Sequence, residues 1–402
     1  MLFVGLIIFA SSSLRLLDYN VENEVKETKE LESDLIIVGF SQLGSESDWR
    51  TANTKSIQNA LTKQNGFSLI FSNGRQSQEN QIKDVRSFIF QEVDYIVIAP
   101  VTETGWDTVL EEARQANIPV IIVDRMIDTE DESLYVACVG TDKYMEGQKA
   151  GLWLEQYLKE RKEESFDQKE YASNADLLEQ AKDYEKEQDK KLDVEQEKGQ
   201  GIDQDKGQDI EQGHDKDQDT MQEKDKETNQ KAEHNKDGIN IVILEGTPDS
   251  TAQIGRSKGF EDIAAVHDDW NILAKENGDF TKAKGKEVMK RYLQEFEDID
   301  VLVSQNDDMT FGAIEAITEA GLTCGVNGDI IVISFDAVSE AFDKMEEGLI
   351  NVDIECNPLQ GELIADIIRS LEHGEEIDKL SYVDGKVFEA KNASKDRIGR
   401  TY

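Results

Sequence analysis

The stretch VLVSQNDDM (301–309) decides how the rest of the chain is read. Four apolar or small residues run without interruption into Gln305, Asn306, Asp307 and Asp308, as happens where a buried strand ends and a helix begins. The same unit recurs at LIIVGF (35–40), YIVIA (95–99), VIIV (120–123), INIVIL (239–244) and IIVIS (330–334), each stopping at a charged or polar cluster. Continuous apolar runs, as opposed to alternating ones, belong to parallel strands covered on both faces. In open α/β sheets the carboxyl ends of such strands are where ligands bind, so the polar residues that close these runs are the functional candidates.

From residue 35 the elements alternate. Helices are expected over 48–60, 78–91 and 104–116, between strands at 35–40, 67–71, 95–99 and 120–123 and an extended segment at 134–139. In the second of these helices Ile82, Val85, Phe88 and Ile89 recur at helical spacing and lay one face on the sheet. A second domain of the same construction follows, with helices at 143–158, 250–266, 282–296 and 309–321 among strands at 239–244, 271–274, 301–304, 330–334 and 349–355. One more amphipathic helix (361–374) and a last strand (381–388) are left over, which implies more than one crossing between the domains. The fold class is α/β, with two similar doubly wound parallel-sheet lobes.

The chain has 402 residues, 38% of them hydrophobic, enough for two cores. Its 44 basic and 85 acidic residues leave a net charge of −41, which repels nucleic acid and anionic lipid surfaces. Cys138, Cys324 and Cys356 have no CxxC spacing, and His214, His234, His267 and His373 are scattered, so no metal or cofactor is implied. The apolar run from Leu2 to Ala10, followed by small residues, is about half of what spans a bilayer but suits a signal sequence. It lacks a preceding Lys or Arg, so residues 1–20 are read as a truncated signal peptide or anchor, followed by an acidic linker over 21–34.

Residues 161–237 break the pattern, with 14 Lys and Arg against 25 Asp and Glu and a net of −11. Such a segment buries too little apolar surface to offset about 1–2 kcal/mol of backbone entropy per residue, and it is expected to be a disordered acidic insertion. Joining a helix back to a strand, it should emerge away from the ligand edge. Asp203, Asp205 and Asp209 are spaced like calcium ligands, but Gln208 and His214 stand where an EF-hand loop needs Gly and Glu.

The stretches GFSQLGSESDWRTAN, GRQSQENQIKDVRSFI and IAPVTETGWDTVLEEARQANIPVIIVDRMID resemble the sugar-binding proteins of bacterial ABC importers. Within the ribose-binding family they are most like the galactofuranose-binding member. RSKGF, GDFTKAKGKEV, QNDDMTFGAIEAI and ISFDAV continue the match, which covers 35–160 and 238 to about 375. The resemblance implies an exported, monomeric, non-enzymatic receptor. Its two lobes, joined by a three-crossover hinge, would close on one monosaccharide and deliver it to a permease. It places the N-terminal lobe at 35–140 plus 357–378 and the C-terminal lobe at 141–160 plus 238–356 plus 379–402, with crossings near Thr141, Glu355 and Leu380. Carried over by motif, the ligand residues are Glu46, Trp49, Arg50, Asp124 and Arg125 from the first lobe, Arg256, Phe280, Asn306 and Asp336 from the second, and Glu355 at a crossover.

These residue types suit a sugar on chemical grounds too. A sugar ring has apolar C–H faces and a rim of hydroxyls, so it wants aromatic walls such as Trp49 and Phe280 and planar polar groups around the edge. Taken singly, each residue has a plainer reading. Trp49 can pack at its helix start, Asp124 and Arg125 can form a turn pair worth about 0–1 kcal/mol, Phe280 can be core, and Asn306 and Asp336 can cap helices. Glu355 can tie the hinge, and Trp106 with Thr104 can simply begin a helix. Five strand ends supplying such groups together favour a site. A disulfide between Cys138 and Cys356 stays open, subject to the strict Cα separation it needs.

A sugar sensor for a chemoreceptor or sensor kinase would use the same lobes. An α/β enzyme acting on sugars would want a phosphate loop, a GxSxG elbow or a His–nucleophile pair, none of which is present, and arginines beside the carboxylates should lower their pKa values. A sugar-responsive repressor would need a basic helix-turn-helix before residue 35, where the chain is acidic.

Overall fold

A computed structural model describes residues 35–163 and 238–402. The signal or anchor reading (1–20), the acidic linker (21–34), the calcium-like spacing and nearly all of the insertion lie outside those residues. Two six-stranded sheets lie within one compact unit.

The first sheet is built from β1 (Ile36–Gln42), β2 (Phe67–Asn73), β3 (Tyr95–Ile98), β4 (Val120–Asp124) and β5 (Ala137–Gly140). Between them run α1 (Asp48–Ala60), α2 (Gln78–Phe90) and α3 (Asp107–Gln115), and α4 occupies 143–163. The second sheet holds β6 (Ile239–Glu245), β7 (Trp270–Asn277), β8 (Val301–Ser304), β9 (Ile331–Asp336) and β10 (Val352–Glu355). Its helices are α5 (Thr251–Ala264), α6 (Lys282–Glu295), α7 (Asp307–Glu319) and α8 (Ser339–Glu346). The late segments are α9 (Gly361–Glu372), β11 (Leu380–Tyr382), β12 (Val387–Glu389) and α10 (Ala393–Asp396).

The strand orders are β11-β5-β4-β3-β1-β2 and β12-β10-β9-β8-β6-β7, so each lobe repeats one doubly wound plan. Every pairing between named strands is parallel except β10 with β12. All four residues of β8 are buried, as its unbroken apolar run requires.

α9 returns to the first lobe, where Ile364, Ala365 and Ile368 pack with Val38, Phe40 and Ile57. The expected single strand at 381–388 is in fact two strands in different sheets. β11 lies beside β5 in the first sheet, and β12 lies antiparallel to β10 in the second, with the chain crossing at 383–386. Residues 380–382 therefore leave the C-terminal lobe to which they were assigned. A three-residue edge strand carries too little pattern to say which of two sheets it joins. Helix α8 had no counterpart in the sequence reading; only Ala341, Phe342 and Met345 of its eight residues are buried, and the rest look like loop. Helix α3 starts three residues later than expected, because Gly105 takes a left-handed turn (φ 85°) before it. Trp106 is buried at that helix start and its Nε1 donates to the Thr102 carbonyl at 2.8 Å, so it is structural.

Candidate functional site

Nine of the ten expected residues surround one cavity of about 290 Å³ of empty space, at the carboxyl ends of both sheets. Glu46, Trp49, Arg50, Asp124 and Arg125 approach from the first lobe, and Arg256, Phe280, Asn306 and Asp336 from the second. Ser47, Lys143, Ala252 and Cys356 complete the wall.

Local structure explains the placement. Ser47 caps α1, its hydroxyl accepting from the Arg50 amide at 3.1 Å, which starts the helix where Trp49 and Arg50 face inward. Trp49 Nε1 donates to the Cys356 carbonyl, fixing the indole against the crossover. Asn306 caps α7, accepting from the Met309 amide at 3.0 Å, while its Nδ2 donates to the Phe280 carbonyl at 3.2 Å. Gly246, at the end of β6, makes room for the Phe280 ring: a Cβ there would stand 1.8 Å from the ring's Cζ. Asp124, Phe280 and Asp336 all hold positive φ, at 66°, 56° and 105°. Non-glycine residues in this region store about 1–3 kcal/mol each, and such strain collects where side chains must be aimed.

In the first lobe, Arg50 donates from Nη2 to Asp124 Oδ2 at 2.6 Å and from Nε to Glu46 Oε1 at 3.1 Å. Arg125 donates from Nη1 to the Val101 carbonyl at 3.1 Å, and its guanidinium lies 5.4 Å over the Phe280 ring of the other lobe. Glu46 Oε2, Arg50 Nη1 and Arg125 Nε are buried with no hydrogen-bond partner among the described residues. Burying such groups unpaired costs about 1–3 kcal/mol each, more when charged.

Arg256 of the second lobe is satisfied within that lobe. Arg256 donates from Nε to Glu146 at 2.7 Å, from Nη2 to Asp336 at 3.0 Å, and from Nη1 to the Gln305 carbonyl.

Charge follows from this packing. Burial alone would raise the Asp124 carboxyl, but Lys143, Arg50 and Arg125 hold it well below the usual carboxylate range. Burial pulls Arg50 down, and Asp124 with Glu46 more than reverses it. Arg125 moves the other way, drawn down to about 10 by burial and by the nearby charge of Arg50. Glu146 is lowered because Arg256 and Lys143 outweigh its burial. Asp336 departs from the expectation that arginines depress these carboxyls. Its burial outweighs Arg256, and Asp307 adds like charge, so its pKa is raised.

Glu355 is the expected residue that does not reach the cavity. It accepts from Tyr402 Oη at 2.6 Å, Arg400 Nη1 at 2.9 Å and the Lys386 amide at 2.9 Å, so it ties the crossover together. Its neighbour Cys356 lines the cavity in its place. Lys143 and Glu146 were not foreseen either, since two charges in the first turns of α4 read as a solvated face. None of the three cysteines is in a disulfide. Cys138 lies 2.8 Å from the Met126 sulfur, and Cys356 lies 2.9 Å from Lys143 Nζ, so the pairing left open between them does not form. No group of side chains among the described residues could hold a metal ion.

Comparison with known proteins agrees with this architecture. The periplasmic binding protein domain matches residues 38–226 and 226–376. The chain belongs to the periplasmic binding protein family. The galactofuranose-binding protein YtfQ of Escherichia coli K12 is 34% identical over 80% of this chain and 78% of its own length. The binding protein of an arabinose ABC transporter from Shewanella sp. ANA-3, solved with α- and β-L-arabinofuranose, is 34% identical with a TM-score of 0.67, over 90% of this chain and 94% of that one. A protein of Mycobacterium smegmatis solved with β-D-fucofuranose is 32% identical with a TM-score of 0.68, over 90% and 93%.

Proposed function

We propose that this protein is the extracytoplasmic receptor of an ABC sugar importer, capturing a furanose sugar in the cleft and presenting it to the permease. Galactofuranose is the first choice of ligand, because relatives above 30% identity are named for or solved with furanoses. The observation that carries the reading is the set of three unpartnered buried atoms on Glu46, Arg50 and Arg125, beside Trp49 and Phe280. Two fixed donors and one acceptor flanked by aromatic rings match neighbouring hydroxyls on a small ring with apolar faces. The ten residues named above act as ligand groups except Glu355, which belongs to the hinge. The receptor works as a monomer and turns nothing over, in keeping with a relative named as a galactofuranose-binding protein. Among the described residues no helix is long and apolar enough to cross a membrane.

The test is a thermal-shift screen of the purified protein against methyl β-D-galactofuranoside, D-galactose, L-arabinose, D-ribose and D-glucose. A ligand at 100 times its dissociation constant stabilises by about 2.7 kcal/mol. A shift with the furanoside that vanishes in Trp49→Ala supports the reading. A shift with a pyranose alone replaces the cargo, and turnover of any of the sugars would replace the class.

A further inference from the structure

Lys143 is the first residue of α4, immediately after the crossing from β5, and its side chain is only 7% exposed. Its Nζ donates to Asp124 Oδ1 at 3.1 Å and to Cys356 Sγ at 2.9 Å, and stands 5.6 Å from the centre of the Trp49 ring. Glu146 Oε1 is 3.9 Å away, too far for a hydrogen bond. Burial pulls the ammonium down, but the carboxylates of Asp124 and Glu146 outweigh it, so the group stays charged. It has three N–H donors and one strong acceptor, the Asp124 carboxylate. The thiol of Cys356, pushed up to about 12 by burial, remains neutral, and neutral sulfur is a weak acceptor.

A buried ammonium in this position is short of oxygen, and the cavity it lines is where oxygen can arrive. Trp49, against which a sugar's C–H face would rest, lies directly beside it. We propose that Lys143 is a specificity-determining ligand residue, donating to a sugar hydroxyl oxygen at the hinge end of the cleft. Because Lys143 comes from α4 beyond the crossing and Asp124 from β4 before it, the same ammonium ties the oxygen it reads to a first-lobe carboxylate. This rests on the sugar-receptor reading and adds a group that neither the motif pattern nor the composition had singled out.

The experiment is calorimetric titration of the full chain and of Lys143→Met and Lys143→Arg with methyl β-D-galactofuranoside and its singly deoxygenated analogues. L-Arabinose, D-ribose and D-fructose serve as second probes. The Met variant should weaken the parent furanoside at least tenfold. One deoxy analogue, already weak on the unchanged protein, should lose less than twofold further, because the oxygen that Lys143 reads is gone. The Arg variant, which keeps the charge beside Asp124, should retain the melting temperature and recover part of the affinity. If every analogue weakens by the same factor, Lys143 acts only through Asp124 and the proposal fails. It fails as well if the Met variant binds normally. Binding of one of the second probes without the furanosides would refute the furanose reading alone; the Met variant must then weaken that probe tenfold, and normal binding again overturns Lys143. Binding of none of them overturns both.

Discussion

The two halves of the cleft carry similar residue types but are wired differently. On the first-lobe side, Glu46, Arg50 and Arg125 each keep a buried polar atom without a partner among the described residues. On the second-lobe side, Arg256 spends all three nitrogens on Glu146, Gln305 and Asp336, and Asn306 spends both ends of its amide on Met309 and Phe280. An unsatisfied buried donor gains most when a ligand arrives, whereas a satisfied one mainly shapes the wall. The first lobe is therefore where recognition energy should concentrate, and the second, Lys143 apart, is a prebuilt surface that closes over it.

The largest expected effect comes from removing the centre of the first-lobe network. Asp124→Ala leaves Arg50 and Lys143 buried without their shared carboxylate, and breaking such a buried pair costs about 3–5 kcal/mol. Sugar affinity should fall by a factor of ~100 to ~1,000, since each 1.4 kcal/mol is about tenfold. Titration of Asp124→Ala showing less than a tenfold loss would mean that the first lobe is not the recognition half.

Arg125→Met sharpens the comparison. Arg125 is pulled down to about 10 by burial, and its removal orphans only the Val101 carbonyl. The sugar-free melting temperature should therefore hold or rise while affinity drops about 10- to 100-fold, the range for a hydrogen bond to a charged group. A variant that loses stability and affinity together would make Arg125 a structural residue.

Asn306→Ala is the matching change in the second lobe. It removes the α7 cap and the tether to the Phe280 carbonyl, at a cost of about 1 kcal/mol in stability. Its affinity loss should be smaller than that of Arg125→Met. The reverse order in paired titrations would break the asymmetry.

How far the sequence carries follows from the same contrast. Strands buried on both faces announced themselves as unbroken apolar runs, and the polar residues at their ends, Asp124, Asn306 and Asp336, stand at the cavity because strand ends put them there. Positions that depend on which way one residue faces were harder. Glu355 and Cys356 are adjacent at the end of β10, and successive residues there point to opposite sides, so a one-residue error exchanges a hinge tie for a cavity wall. Lys143 and Glu146 were hidden for another reason. Charges early in a helix usually face water, and only the crossing from β5 turns these inward.

The smallest effect lies where the lobes meet through Asp308. Its Oδ2 accepts from the Asp48 amide at 3.3 Å, a bond between the N-terminus of α7 and that of α1. Burial, then the Asp48 carboxylate, with Glu340 and Glu46 adding like charge, pushes Asp308 up to about 7. With the lobes apart Asp308 would titrate near the ordinary ~3.9. A group whose pKa rises on closure stabilises the closed form fully below the open-state value, and that stabilisation is lost as pH rises through about 7. Sugar affinity should accordingly decline as pH rises from 5 to 8, by no more than about tenfold because Asp308 is only partly buried. Asp308→Asn keeps an oxygen acceptor for the Asp48 amide and removes the charge, so its affinity should be flat over the same range and equal the acidic limit of the unchanged protein. Identical pH profiles for the two proteins would show that the lobes meet without sensing this carboxyl. The asymmetry of the cleft would then rest on the first-lobe donors alone.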